Sequence, residues 1–575
     1  MRNVEIAEAF EELASLYELD GAVVYRVLAY RNAAKAIRES GVSVAELARQ
    51  GRAEQLPGVG KTIADKIEAL LETGSIPSAE KLKQRVPPGL VEVTRIPGLG
   101  PKRARLLHDH LGVESLEDLR HAADSGRIAE VPGFGAKAQE NVLGALATGA
   151  DGRAGARVLL SAALAIGEGV VAALRAHPAA KRVELAGSAR RMTDTCKDLD
   201  VVAASDDPRA LAEAFQALPE VEAVHSSGEA GARAVTHAGL PLDLRIVPEE
   251  SFGNLLQHFT GSGRHNEALR TDAVKRGLHV SEYGVLDDAT GRTHACRTEE
   301  EVYRLLGMDY IEPELREDRG ELRAAREGML PRLLTTEDLR GDLHCHTVTS
   351  DGRNTVREMA LAARSRGYEY LAITDHSATH GFGNDVPPDE LRRQIERVAE
   401  VNAELEGVTV LAGTESNVLP DGSLDYPDEL LSDLDWVVAS LHTSFRMPER
   451  EMTARMVTAM EHPLVDALGH PTGRLIGRRE PYALDVDRVI EAAARTGTFL
   501  EINANPNRRD LPDTYARAAA EAGVTLVVDS DAHGVDTLDK IRFGVATARR
   551  AWLEPEQVAN TRPWPELDRL RKRGR

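Results

Sequence analysis

From residue 338 onward the chain alternates apolar runs with helical stretches, and nearly every one of seven runs closes on a residue type able to bind a metal ion. The runs end at Leu343-His344, Thr374-Asp375-His376, Thr414-Glu415, Leu441-His442, Gly469-His470, Glu501-Ile502-Asn503 and Ser530-Asp531-Ala532-His533. Strand-helix alternation builds a parallel sheet. When such a sheet closes into a barrel, its C-terminal strand ends face one cavity. Seven strands predict a distorted (β/α)7 barrel over 338–575, one unit short of eight. The candidate ligands are His344, His346, Asp351, His376, Glu415, His442, His470, Asp531 and His533. The His-x-His spacing turns two imidazoles towards the cavity. A mixed histidine and carboxylate set suits Mn²⁺, Zn²⁺ or Fe²⁺ better than Mg²⁺ alone. A lone histidine at a strand end is usually structural; nine candidates in chain order argue otherwise. His380 and His462 fall outside the pattern and read as ordinary surface residues.

A second chemistry lies upstream. Residues 187–200 read Gly187-Ser188-Ala189-Arg190-Arg191, six further residues, then Asp198-Leu199-Asp200. On a strand Asp198 and Asp200 share a face, and paired carboxylates suit Mg²⁺. Asp243, in Leu242-Asp243-Leu244-Arg245, falls on a neighbouring strand. Three acids can hold two Mg²⁺ or Mn²⁺ ions for a displacement at phosphorus. Gly187, Ser188 and Arg191 lie where a triphosphate would rest, the arginine binding through its planar fork. The motif reads as a nucleotidyltransferase. An apolar helix over 156–177 and strands near 181–187, 198–205, 221–228, 232–237 and 240–247 predict an α+β palm around it.

Residues 1–150 repeat one turn. Leu56-Pro57-Gly58-Val59-Gly60-Lys61 returns as Ile96-Pro97-Gly98-Leu99-Gly100-Pro101 and again as Val131-Pro132-Gly133-Phe134-Gly135-Ala136. Glycine permits positive φ and close backbone approach. The helix that follows offers free N–H groups to a phosphate. One copy is matched by the plain reading of a glycine-capped helix turn. Three favour a grip on the DNA backbone that reads no sequence. The candidates are Gly58, Gly60, Lys61, Gly98, Gly100, Gly133 and Gly135. The net charge of −21 does not exclude this, because residues 1–110 hold 16 Lys and Arg against 15 Asp and Glu, and local patches outweigh the average.

The 575 residues suffice for several domains. Three cysteines without a Cys-x-x-Cys pair suit a reducing compartment. The opening residues do not read as a secretory leader. The longest apolar run, from Val158 to Leu174, is broken by Glu168 and too short to span a bilayer.

The three turns resemble the helix-hairpin-helix motif of DNA repair enzymes, and residues 1–315 resemble a family X DNA polymerase of the DNA polymerase beta type. His258-Phe259-Thr260-Gly261-Ser262 is similar to the family's Tyr-Phe-Thr-Gly-Ser thumb motif, with Asn266 and Arg270 following at the family's spacing. The resemblance implies nucleotide binding by His258, Phe259, Gly261, Ser262 and Asn266, and DNA contact by Arg270. Four positions depart from the pattern: Met192 replaces a glycine, Pro241 an arginine, His258 a tyrosine and Gly263 an aspartate. Ala29-Tyr30-Arg31-Asn32-Ala33-Ala34 resembles the small gap-binding domain, whose deoxyribose-phosphate lyase lysine aligns with Lys66. Lys61 is a nearby cation able to favour the free amine that Schiff-base chemistry needs. Arg26 and Thr62 replace partner lysines, so a plain phosphate contact by Lys66 is an equal reading. Residues 338–575 resemble a PHP (polymerase and histidinol phosphatase) domain. That resemblance implies three metal ions bridged by Glu415, and a phosphoesterase acting through metal-bound hydroxide.

The expected architecture is therefore multidomain. Helical helix-hairpin-helix domains occupy 1–85 and 86–150, the palm 151–255, the thumb 256–315, a charge-dense linker 316–337 and the barrel 338–575. The expected activity is gap-filling DNA synthesis in repair, with 3′→5′ exonuclease end-processing by the barrel. The expected partners are gapped or nicked DNA and deoxynucleoside triphosphates, with no membrane; a monomer in the cytoplasm, associated with the bacterial nucleoid, is expected. Two alternatives compete: a DNA-end binding scaffold with a structural barrel, and a small-molecule phosphatase fused to a nucleotidyltransferase.

Overall fold

The computed structural model describes residues 1–94, 96, 99–148, 157–381 and 384–574. They form two compact units. One comprises Met1–Val158, Ala162–Ala186 and Thr195–Phe252; the other comprises Leu159–Ser161, Gly187–Asp194 and Gly253–Arg575.

In the first unit, short helices pack around one apolar core that runs from Ile6 to Val142. The boundary expected near residue 85 does not divide two cores, because the helix Asn3–Leu19 packs on both Pro77–Lys83 and Pro101–Leu111. The same turn recurs in hydrogen bonds. Val59 N donates to Leu56 O at 3.1 Å, Leu99 N to Ile96 O at 2.9 Å and Phe134 N to Val131 O at 2.9 Å. Each turn buries its two apolar residues and leads into a helix, Lys61–Thr73, Pro101–Leu111 or Ala136–Thr148. Gly98 lies outside the described residues.

The unit's other part is a five-stranded sheet. Its strands are β1 (Ala180–Leu185), β2 (Leu199–Ser205), β3 (Val221–Gly228), β4 (Gly231–Thr236) and β5 (Pro241–Val247), in the order β1-β2-β5-β4-β3. All five fall where the apolar alternation places them. Only the β2–β5 pair is parallel, with Asp200 facing Asp243 in register. The preceding helix is shorter than expected: it spans Leu160–Arg175, because Val158–Leu159 forms a strand instead. Residues 149–156 lie outside the described residues.

In the second unit, helices Phe252–Thr260 and Gly263–Val274 begin the thumb. The stretch 316–337, read from sequence as a linker, is folded. Ala325 and Leu333 join the thumb's apolar core, and Arg316 and Glu321 are completely buried. Its charges find partners: Arg316 Nη1 donates to Glu299 Oε1 at 2.5 Å, and His265 Nδ1 lies 2.7 Å from Glu321 Oε1.

The barrel has seven parallel strands, β6 (Gly341–Cys345), β7 (Tyr370–Ile373), β8 (Thr409–Asn417), β9 (Trp436–Ser440), β10 (Ala467–Leu468), β11 (Phe499–Asn503) and β12 (Leu526–Asp529), paired in chain order. A parallel bridge between Cys345 and Ala532 brings the first strand to the last. The interior is filled by Leu343, Tyr370, Leu411, Trp436, Phe499 and Val527, while Leu371, Ile373, Val437 and Leu500 face the helices. Burial on both faces explains the near-continuous apolar runs. All three cysteines, Cys196, Cys296 and Cys345, are free and buried.

Candidate metal centre and nucleic-acid surfaces

All nine sequence-predicted ligands converge at the C-terminal end of the barrel strands. Ligand atoms of His346, Asp351, His376 and His533 lie within 4.8 Å of one another; so do those of His344, His346 and Asp531, and those of His376, Glu415 and His442. Glu415 stands in the middle. Its Oε1 is 2.9 Å from His470 Nε2 and 3.2 Å from His442 Nε2; its Oε2 is 2.8 Å from His376 Nδ1 and 3.5 Å from His344 Nε2. His346 Nε2 also lies 3.8 Å from Oε2, so Oε1 faces two imidazoles and Oε2 three, an arrangement that fits a bridging ligand. His470 and Asp531 adopt φ of +27° and +53°, backbone strain that concentrates at functional sites. Asp351 and His533 form the open side, with their side chains 41% and 32% exposed.

The electrostatics ask for cations. Burial alone would raise the Glu415 carboxyl, but His442, His344 and His376 outweigh it and hold it well below the usual range. Burial opposes a charge on His344, yet Glu501 and Glu415 hold its pKa well above the usual value. The buried Nε2 atoms of His344 and His346 and both Glu415 oxygens lack a well-formed hydrogen bond within the protein. Buried polar atoms normally find partners, so orphans that converge fit divalent ions at this centre.

The supporting layer escaped the sequence reading. Glu501 Oε1 lies 2.6 Å from His344 Nδ1, which fixes the ring and turns Nε2 inward, and Asn503 Nδ2 donates to Asp531 Oδ2 at 3.1 Å. Carboxylate support of this kind orients a metal-binding imidazole. The strand-end pair Glu501-x-Asn503 was a visible signal for it. His380 is not a surface residue: it is 1% exposed and its ring stacks on His376 at 4.5 Å. His462 is half-buried and pairs with Asp428 at 3.1 Å.

In the palm, the register of β2 and β5 sets Asp200 beside Asp243, and Asp198 directly precedes β2. Asp198 is exposed and the other two are half-buried; Arg233 Nε lies 3.4 Å from Asp243 Oδ2. In the second unit, Arg191 Nε donates to Glu317 Oε1 at 3.1 Å and its Nη1 to the Thr260 carbonyl at 2.5 Å. Arg190 grips Glu299 through both terminal nitrogens, at 3.0 and 2.6 Å. Burial would raise Glu299, but Arg316 and Arg190 lower it to about 2. Gly261 has φ +69°, and a Cβ there would stand 3.1 Å from Arg191 Nη1, so the thumb turn needs glycine.

The thumb motif is intact in space. The His258 and Phe259 rings lie 5.4 Å apart and both are half-buried. Burial lowers the His258 pKa. The Ser262 hydroxyl caps the next helix by accepting from His265 N. Asn266 is engaged internally: its Nδ2 donates to the His258 carbonyl at 2.7 Å and its Oδ1 accepts from Gln257 at 2.9 Å. Arg270 is exposed on the same helix.

At the repeated turns, a Cβ on Gly60, Gly100 or Gly135 would meet nothing within 4 Å. Gly60 and Gly100 also have φ of −90° and −60°, which any residue adopts. The protein's own packing does not demand glycine there; close approach by another molecule's backbone would. Gly58 and Gly133, at φ +77° and +86°, serve the turn itself. Lys61 is exposed and Lys66 half-buried on the helix Lys61–Thr73.

Comparison with known proteins agrees with this anatomy. Residues 1–76 match the family described as helix-hairpin-helix domain, 90–147 the SAM-like helix-hairpin-helix tandem, 255–317 the DNA polymerase beta thumb and 342–505 the PHP domain. The chain belongs to the family X DNA polymerases that carry a C-terminal PHP domain. It is 37% identical over 575 residues, the whole of both chains, to the "DNA polymerase/3'-5' exonuclease PolX" of Bacillus subtilis (strain 168). The barrel alone also resembles proteins named "Probable phosphatase". One from Caldanaerobacter subterraneus subsp. tengcongensis is 33% identical over 33% of this chain and 75% of its own; one from Acetivibrio thermocellus is 33% identical over 33% and 78%. No helix among the described residues is long and apolar enough to cross a membrane.

Proposed function

We propose that this chain fills short gaps in damaged DNA and trims 3′ ends on the same substrate. The observation that carries the reading is the presence of two separate acid-rich sites: Asp200 beside Asp243 on the palm sheet, and nine converging ligands in the barrel. In the palm, Asp198, Asp200 and Asp243 would hold two Mg²⁺ or Mn²⁺ ions. In the barrel, the nine ligands would hold three ions of Mn²⁺, Zn²⁺ or Fe²⁺, with Glu415 between them. Bound ions supply Lewis acidity and an activated oxygen nucleophile at neutral pH.

The chain's own groups do the rest. Gly187, Ser188 and Arg191 receive the triphosphate. His258 and Phe259 flank the incoming sugar beside the Gly261-Ser262 bend, and Asn266 braces that bend through the His258 carbonyl. Burial of His258 disfavours its protonated form. Arg270 and the turns at Gly58, Gly60, Lys61, Gly98, Gly100, Gly133 and Gly135 hold backbone phosphates, which gives affinity without sequence preference. At the barrel mouth, Asp351 and His533 stand where a DNA end enters. Lys66 contacts a 5′ phosphate or forms a Schiff base with an abasic sugar; borohydride trapping on abasic DNA separates the two. The protein acts as a monomer on nucleoid DNA in the cytoplasm.

A labelled gapped duplex with a 5′ phosphate, incubated with triphosphates and Mg²⁺ or Mn²⁺, tests the reading. Extension should vanish in Asp198→Ala with trimming intact, and trimming should vanish in His344→Ala with extension intact. Extension that survives Asp198→Ala, or absence of any binding to gapped duplex in a gel shift, would remove it. The likeness of the barrel to phosphatase-named proteins keeps one second reading, release of a 3′ phosphate before extension. A 3′-phosphorylated primer tests that directly.

A further inference from the structure

Residues 187–194 cluster with the barrel unit, whereas β1 and β2 on either side of them belong to the other. Besides its bonds to Thr260, Glu299 and Glu317, this loop is held by arginines of the barrel. Arg550 Nη1 donates to the Arg191 carbonyl at 2.8 Å and to Glu317 Oε1 at 3.0 Å, the oxygen that also accepts from Arg191. Arg509 Nη1 donates to the Met192 carbonyl at 2.9 Å and lies 3.2 Å from Asp194 Oδ1. Arg474 Nη1 holds the other Asp194 oxygen at 2.8 Å. Arg509 is 0% exposed and its Nε donates to Thr547 Oγ1 at 3.0 Å. A buried guanidinium is costly unless it is paired; Nη1 of Arg509 is paired by the loop's carbonyl and carboxylate and Nε by Thr547, while its buried Nη2 lacks a hydrogen bond. Met192 sits at φ +54°, in the left-handed region that glycine favours. The loop therefore holds a conformation its own residue resists, and Arg509 is bonded to that residue.

We propose that Arg509 is a positioning residue for nucleotide addition. From the barrel it acts through Met192 and Asp194 to keep Ser188 and Arg191 in the arrangement that receives the triphosphate. This rests on the reading of 187–194 as the triphosphate loop. It gives the barrel a part in synthesis separate from its own metal chemistry. The segment that carries Arg509 also reaches the metal centre, since Arg508 Nε lies 4.0 Å from the ligand Asp531.

Single-nucleotide insertion on gapped duplex by the full chain tests the proposal. Arg509→Met should raise KM for the triphosphate about tenfold, with a smaller change in kcat and unchanged DNA affinity. Asp194→Asn leaves the buried arginine in place and should raise KM in the same direction, with 3′ trimming unchanged. It keeps the proposal testable if Arg509→Met does not fold. Met192→Gly added to either variant should recover KM at least about threefold, because glycine takes positive φ freely; a general packing role would not be rescued. If extension depends on Asp198 and both variants keep the wild-type KM, the proposal falls alone. If extension survives Asp198→Ala, the loop reading falls and the proposal with it.

Discussion

The barrel centre and the palm acids, the two sites proposed to hold divalent ions, are built in opposite ways. The barrel places its ligands at the ends of strands buried on both faces, and a further layer, Glu501 and Asn503, fixes their orientation. Its ligand atoms already lie at metal-sharing distances. The palm offers three acids on the rim of a sheet, one exposed and two half-buried, with Arg233 beside Asp243. On the proposed reading the first would retain ions between turnovers, and the second would be completed by the phosphates of its substrate.

The largest effect should come from the bridge. Glu415→Ala should lower 3′ trimming at least about a thousandfold and strip co-purifying metal measured by plasma emission. Retained metal would break the contrast. Asp200→Ala should lower single-nucleotide insertion by a similar factor while metal content stays at the wild-type level. Loss of metal in that variant would mean the palm also holds resident ions.

A buried carboxylate outside both sites sharpens the comparison, because arginines are its partners. Glu299 has an ordinary value of 4.5 and a folded value of about 2. Between these values the unfolded chain binds more protons. The stabilisation is therefore complete above about pH 4.5 and lost as pH falls towards 2. Its size is about 3 kcal/mol. Urea midpoints at pH 3 and pH 6 should differ more for wild type than for Glu299→Gln; equal slopes would remove Glu299 as the cause. The smallest effect belongs to the supporting layer. Glu501→Gln should weaken barrel metal affinity about ten- to a hundredfold without abolishing trimming, read by chelator competition.

The barrel was legible because burial on both faces writes each strand as an apolar run, and the candidate ligands other than Asp351 sit at or just past the end of a run. Among the palm strands β4 and β5 alternate in burial, whereas β2 is buried nearly throughout and β3 is mostly exposed. The supporting layer was less legible. Glu501 matters because β11 brings it to His344, 157 residues away in sequence, and no local pattern encodes that pairing. His380 looked like a surface residue because the stacking of its ring on His376 has no local sequence pattern. The stretch 316–337 resembled a linker because its charges find partners far along the chain: Glu321 pairs with His265 and Arg319 with Asp513. The apolar core that crosses residue 85 was hidden for the same reason. Helix contacts, not composition, decide where a domain ends.

The burial of Cys196, Cys296 and Cys345, which are 0%, 2% and 0% exposed, has a practical consequence. Cys345 sits between His344 and His346, and burial raises its thiol pKa well above the usual value, which leaves it a poor nucleophile. The folded chain should therefore be silent to maleimide, and resistant to the peroxides that accompany DNA damage. One cysteine introduced on an exposed loop would be a unique attachment point. A dye or spin label placed there would follow the polymerase and barrel on DNA without any native thiol being removed.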